Sequence, residues 1–408
     1  MIDTAQLVGT DRAVVEAAAS APMLDQVLEW SSINSGSGNM AGLANMADRL
    51  CDAFAVLPGR LERLPAHAST VIRGDGCEKR VQFGDNILLT VRPEAPIQLL
   101  LTGHMDTVFA ADSAFQDCTW RAEGLLVGPG VADMKGGIAI MLAALRALEL
   151  SLLRERIGYQ VVLNSDEEIG SQGSAPLIAN AARNKLAAFT YEPSALPDGT
   201  LAGARPGSGN FSIIVTGRSA HAGRNPQDGR NALLAAADIA LGLEAMVRDG
   251  LSVNPARIDG GGPHNVVPSH AVLHVNMRPR SPEHKRLAEI ALQAILDDVS
   301  RSRDIGVHVH GSFTRLPKPL DEPTLALLRL VQDCGKALGQ NIGWRDTGGV
   351  CDGNNIAACG VPVVDTMGVR GGAIHSSDEY LIPSSLAERA SLSALLLCHL
   401  AREGMPSF

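Results

Sequence analysis

Two rhythms of hydrophobic and polar positions run along this chain. Residues 86–92, 97–103, 159–164 and 187–191 are short apolar runs of strand length, and 136–150 is an Ala/Leu-rich stretch of helical spacing directly after Gly136-Gly137. Strands alternating with helices predict an α/β domain with a mostly parallel central sheet flanked by helices. Near Arg205 the rhythm changes. Residues 211–217 alternate apolar and polar, as a half-exposed strand does, and 231–247 reads as an amphipathic helix. Strands over 253–258 and 271–277, a helix over 282–300 and a last strand over 305–310 follow. This two-helix, four-strand block predicts an inserted α+β sandwich. The first rhythm then resumes, with a helix over 322–338, a strand over 361–366 and a helix over 382–402. The expected division is therefore one domain from 1–206 and 317–408, interrupted by an insert at 207–316. The Pro/Gly-containing stretches 203–209 and 316–323 are the expected hinges. Residues 10–60 read as helical at both ends, around a polar loop at 31–39.

Composition sharpens this picture in a few places. A chain of 408 residues exceeds one ordinary domain. A net charge of −9, with no basic run to offset it, argues against nucleic-acid or anionic-membrane partners. Aromatic residues make up only 3%, which disfavours stacking platforms for bases or sugars. The longest apolar candidate for a membrane span, 138–153, is broken by Arg146 and Glu149. Met1–Ala21 lacks the charged start and apolar middle of a secretory signal. Seven scattered Cys without a CxxC pair read as reduced thiols, in keeping with a cytoplasmic protein. Among them, Cys351 lies in a Gly-rich loop that could approach a site.

Metal-ligand residue types recur at strand ends and turns. His104-x-Asp106 closes an apolar strand, and ligands gather at the carboxyl ends of strands in open α/β sheets. Asp133 sits between Gly128-Pro129-Gly130 and Gly136-Gly137, where glycines let the backbone approach an ion. Glu167-Glu168 follow the next strand; adjacent carboxylates suit one ligand and one general base if a cation lies between them. Glu192-Pro193 and His375-Ser376 complete the series. Taken singly, each has a plain reading. Asp133 could cap a helix, the Glu pair could be a solvated loop, and either His could be structural. Two imidazoles and these carboxylates together are enough for two ions sharing a bridging carboxylate. A Ser-hydrolase reading lacks a Gly-x-Ser-x-Gly elbow.

These motifs, with Ser219-Ala220-His221-Ala222-Gly223, resemble the M20 family of metallopeptidases over about residues 25–400, and within it the glutamate carboxypeptidase branch. The resemblance implies two zinc ions per subunit, with cobalt or manganese as other occupants. Asp133 would bridge them, His104 and Glu192 would hold one, and Glu168 and His375 the other. Asp106 would orient His104, and Glu167 would be general base and acid. His221 would stabilise an oxyanion from across a homodimer interface formed by the insert. Arg278, Asn265, Gly349 and Gly372 would line the substrate. The implied reaction releases a C-terminal amino acid, with an acidic one as a candidate, from a peptide or N-acyl conjugate. An N-acyl-amino-acid deacylase would use the same site, and a non-catalytic binding protein would have lost Glu167 or a ligand. Three departures stand out. Met134 follows the bridging Asp where relatives often carry an acid, and the resemblance implies an unusual Asp133–Met134 peptide, of the cis kind found in relatives. The 350–355 loop differs from the commoner pattern. Thr200 is neutral near the place where the glutamate-specific branch that the chain resembles carries a lysine, with Arg315 or Lys318 as cations that could compensate.

Overall fold

The computed structural model describes residues 7, 9–122 and 124–406; the first six residues of the Met1–Ala21 segment and residue 8 lie outside it. Its central sheet has six strands in the order Arg60–Leu64, Asn86–Val91, Ile157–Asn164, Ile97–His104, Ala187–Thr190 and Val363–Val364. The first two junctions are antiparallel and the remaining three parallel, so the sheet is mixed overall and parallel on the side where the motifs lie. The helix Gly136–Glu149 is buried nearly all round, as its even Ala/Leu content requires, and it packs beside Ser384–Glu403. No helix among the described residues is long and apolar enough to cross a membrane.

Residues 208–315 build their own antiparallel sheet, in the order Leu251–Gly260, His270–Pro279, Ser208–Thr216, Gly306–Arg315. One face packs under the helices Ala232–Glu244 and Pro282–Arg303, and a separate core forms there from Ile213, Val215, Ala236, Ile239, Leu273 and Leu292. The other face meets the hairpin of Ser69–Ile72 and Glu78–Val81, where His310 and His270 contact the carbonyls of Thr70 and Gly74.

Several details differ from expectation. Among the described residues the N-terminal region holds three helices, Gly9–Ala19, Met23–Ser31 and Met40–Phe54, because Pro22 divides the stretch before the polar loop into two. The 361–366 strand shrinks to Val363–Val364, at the sheet edge and just after Pro362, which has no N–H to pair. Four two-residue strands, too short for any periodicity, form a small sheet in the order Gly371–Gly372, Tyr380–Leu381, Leu126–Val127, Thr119–Trp120. That sheet ties the loop carrying His375 to the chain leading into Asp133. The two expected hinges are paired with each other: Arg205 and Lys318 exchange both backbone hydrogen bonds at 3.0 Å. Both side chains are buried on Asp365, which accepts from Arg205 Nε at 2.8 Å, Arg205 Nη2 at 3.0 Å and Lys318 Nζ at 2.7 Å.

Candidate active site

Three adjacent parallel strands end side by side, and each delivers part of the site. Ile97–His104 ends on His104, Ile157–Asn164 leads into Glu167 and Glu168, and Ala187–Thr190 leads into Glu192. Neighbouring strands lie about 4.8 Å apart, so carboxylates and imidazoles at their ends fall within reach of a shared ion. Asp133 arrives from a fourth direction, at the N-terminal side of Gly136–Glu149. Gly137 allows this approach, since a Cβ there would lie 1.9 Å from the Tyr191 carbonyl oxygen. The Asp133–Met134 peptide is cis.

The candidate ligand side chains come together. His104 Nε2 lies 3.0 Å from Asp133 Oδ1 and 3.6 Å from Glu192 Oε2. His375 Nε2 lies 3.4 Å from Asp133 Oδ2 and 3.1 Å from Glu168 Oε2. Asp133 thus turns one oxygen to each imidazole. Potential ligand atoms of His104, Glu167 and Glu192 lie within 4.8 Å of one another, as do those of His104, Asp133 and Glu168. His375 has φ 62°, a left-handed backbone that a residue with a side chain rarely adopts, and such outliers cluster at functional sites.

Asp106 does more than orient His104. Its carbonyl oxygen faces His104 Nδ1 at 3.0 Å, so Nδ1 carries a proton and Nε2 is left to face the carboxylates. Its carboxylate accepts from the backbone N–H groups of Glu167 and Glu168 at 3.1 Å each, and from Ser37 Oγ at 2.8 Å. Asp106 therefore holds the two adjacent strand ends together.

The electrostatics of this cluster are strained. Burial, then the charge of Asp133, pushes Glu192 up to about 7 and raises Glu168 as well. Burial raises Glu167 well above the ordinary range, against the pull of Arg315. Asp133 resists its burial and stays low through its bonds to His104 and His375. His375 rises to about 10 through the same bond to Asp133 and one to Glu168. Glu192 Oε1 is buried without a hydrogen-bond partner among the described residues. Four carboxylates, two imidazoles and an orphaned carboxylate oxygen fit divalent cations of the zinc type.

The other expected residues lie elsewhere. His221 is exposed, and its Nδ1 accepts from the backbone of Gly223 at 3.1 Å and Arg224 at 3.2 Å. Asn265 neighbours it, its carbonyl accepting from Ala222 N–H at 2.9 Å. Arg278 donates to the Gly348 carbonyl at 3.0 Å and to Asn276 at 3.0 Å, so it bridges the second sheet and the 348 loop. The Gly349 carbonyl accepts from Arg205, and Gly372 pairs with Tyr380. Arg315 and Lys318 do not compensate for Thr200: both are buried and bound to acids, Glu167 and Asp365 respectively. Cys351 is buried and accepts from Gly353 N–H at 3.3 Å as a helix cap, with burial holding its thiol well above the usual value.

Two residues that lie within the quoted motifs, but to which no role was assigned, shape the site. Glu379 Oε1 accepts from the backbone N–H groups of Ala132 at 2.9 Å and Asp133 at 3.0 Å, clamping the loop that presents Asp133. Its place four residues after His375 was the available signal. Lys135 Nζ donates to the Ile33 carbonyl at 3.0 Å and ties the polar 31–39 loop to the same turn.

Strand ends of the α/β sheet bring His104, Glu167, Glu168 and Glu192 beside Asp133 and His375, a donor set of the kind metallohydrolases use. The sequence profile of Peptidase family M20/M25/M40 matches residues 100–399, and the chain belongs to that family. Over 333 residues it is 31% identical to carboxypeptidase G2 of Pseudomonas sp. (strain RS-16), covering 78% of this chain and 77% of the relative. Over 239 residues it is 29% identical to succinyl-diaminopimelate desuccinylase 2 of Shewanella loihica, covering 54% of this chain and 63% of that one. The fold is shared with a dinuclear metal binding peptidase of Bacillus subtilis, at a TM-score of 0.66 and 14% identity, covering 94% of this chain and 99% of the other. The protein is thus a hydrolase of the metallopeptidase and amidohydrolase type.

Proposed function

We propose that the chain releases a C-terminal amino acid from a peptide or N-acyl conjugate, with two zinc ions bound and Glu167 as general base. The observation that carries this reading is Asp133, with one oxygen toward His104 and the other toward His375, beside the buried Glu167. In this assignment Asp133 would be shared between the ions, His104 and Glu192 would hold one, and Glu168 and His375 would hold the other; cobalt or manganese would suit the same donors. Bound ions would supply Lewis acidity and a water of lowered pKa. Glu167 takes a proton from the attacking water and returns it to the leaving amine. Asp106 keeps His104 in the ligating tautomer and fixes the backbone of Glu167. Arg278 grips the substrate carboxylate, a role its planar fork suits, with Asn265, Gly349 and Gly372 around it.

Residues 207–316 form the inserted domain of this proposal, and 1–206 with 317–408 the catalytic one. The helix Ala232–Glu244 exposes Leu233, Leu234 and Leu241, an apolar outer surface suited to a second copy. In such a homodimer His221, exposed and outside the metal cluster, would stabilise the oxyanion in the neighbouring copy's site. The negative charge and the free thiols support a cytoplasmic protein without nucleic-acid or membrane partners.

A deacylase is the second reading, favoured by the likeness to a desuccinylase and by the neutral Thr200. A panel of N-acyl glutamate, aspartate, aromatic and aliphatic amino acids with short dipeptides, run on zinc-loaded protein beside Glu167→Ala, separates the two. Selection by the released amino acid, lost in the variant, supports the carboxypeptidase. Selection by the acyl group across many amino acids moves the assignment to the deacylase. Full activity in Glu167→Ala would refute the base.

A further inference from the structure

We infer that Arg315 is a positioning residue for Glu167, so that the segment 207–316 sets the geometry of the general base. This inference rests on the reading of Glu167 given above.

One nitrogen of Arg315 serves the whole of the Glu167 turn. Nη2 lies 2.7 Å from Glu167 Oε1, 3.2 Å from the Glu167 carbonyl oxygen and 2.8 Å from Ser171 Oγ. The guanidinium thus fixes side chain and backbone of Glu167 relative to each other. Asp352 secures this arrangement from behind. It accepts from Ser171 Oγ at 2.5 Å and from Asn164 at 2.8 Å, and lies 3.6 Å from Arg315. Without Arg315 the backbone of Glu167 would still be held by Asp106, but its carboxylate would be free to rotate about the side-chain bonds. A base must hold a proton at one place along the reaction path, and loosely held groups lose rate steeply.

The head group is engaged with Glu167 and Ser171, and the side chain is 6% exposed, so Arg315 is not placed to bind a substrate carboxylate. Nor is the contact explained by stability alone. Buried ion pairs contribute little net stability, and here Nε is left without a partner among the described residues. Arg315 is also the last residue of Gly306–Arg315, an edge strand of the second sheet, paired with Ser208 where the chain enters that sheet. The strand that closes the insert therefore carries the contact that orients the base, so any shift of that sheet reaches Glu167 through one guanidinium nitrogen.

The test compares Arg315→Lys, Arg315→Ala, Glu167→Ala and the Arg315→Ala/Glu167→Ala pair for kcat, KM, bound zinc and melting temperature. In Arg315→Ala, kcat is expected to fall about 100-fold with KM and zinc content held, the loss typical of a misplaced catalytic group. Added guanidinium should restore part of it. Arg315→Lys keeps the buried charge and the fold but not the fork, so it should lie between wild type and Arg315→Ala; it carries the test if Arg315→Ala fails to fold. The pair should be no slower than Glu167→Ala alone, since the two residues act as a unit. A rise in KM at unchanged kcat would overturn the inference in favour of a substrate grip. Wild-type kcat in both Arg315 variants, with Glu167→Ala inactive, would overturn it while leaving the base assignment standing. An active Glu167→Ala would remove the base assignment itself.

Discussion

Asp365→Asn removes the one buried anion that Arg205 and Lys318 share where the chain passes between the two sheets. All three side chains are at most 8% exposed, and Asp365 accepts three charge-assisted hydrogen bonds at 2.7–3.0 Å. Against its burial, Arg205 and then Lys318 hold the carboxyl at about 2, where the ordinary value is 3.8. By linkage, protonation alone would then forfeit about 2 kcal/mol. The Asn variant goes further, leaving two buried cations facing a neutral amide, and breaking such a pair typically costs about 3–5 kcal/mol. With an unfolding entropy of about 2 cal/mol/K per residue, each kcal/mol moves the melting temperature of a chain this long by about 1–2 °C. Scanning fluorimetry at pH 7 should therefore show a drop of about 4–8 °C. The pH dependence follows from the sign of the shift. A depressed carboxyl contributes fully above its unfolded value and loses that contribution as pH falls toward its folded one. The gap between wild type and variant should therefore be constant near neutrality and narrow below about pH 4. A drop under about 1 °C at pH 7, or a gap that widens in acid, would refute the account of the Asp365 triad.

Removal of metal offers a second check. Dialysis against a chelator should abolish hydrolysis and lower the melting temperature, because the crowded carboxylates lose their counter-charge; zinc, cobalt or manganese should restore both. A stripped protein that stays active would exclude the metal reading. Arg278→Ala should raise KM about 10- to 100-fold, the value of a charge-assisted contact to a carboxylate, while kcat changes far less; steady-state kinetics with an unchanged KM would show that the carboxylate is held elsewhere.

Much of this architecture was legible in the sequence. His104, Glu167, Glu168 and Glu192 could be placed because each follows an apolar run of strand length, and Asp133 because glycines surround it. Local pattern carries that kind of information. It could not give the strand order that sets three of those ends side by side, since pairing depends on registry between distant segments. The contributors it missed act across the chain. Arg315 meets Glu167 148 positions away, and Glu379 meets Asp133 246 positions away. The carboxylate of Asp106 was read as a partner of His104 two residues earlier, and its larger task is to hold a turn 61 and 62 positions on. The hinges were read from Pro and Gly content, which reports flexibility of the isolated chain. The burial of Arg205 and Lys318 on one Asp is a tertiary effect invisible at that level.

The paired backbones of Arg205 and Lys318 make the intervening segment a loop closed at its own neck. Such a neck can be spliced. A short turn joining residue 206 to residue 317 would preserve the pair and Asp365 beneath it, and would leave every candidate metal ligand in the remaining polypeptide. What the spliced chain would lack is Arg315, which meets Glu167, together with His221, Asn265 and Arg278, the residues proposed above for the oxyanion and the substrate. The α/β body would keep the candidate ligands and Glu167, and any hydrolysis lost on splicing would measure what the segment 207–316 adds to them.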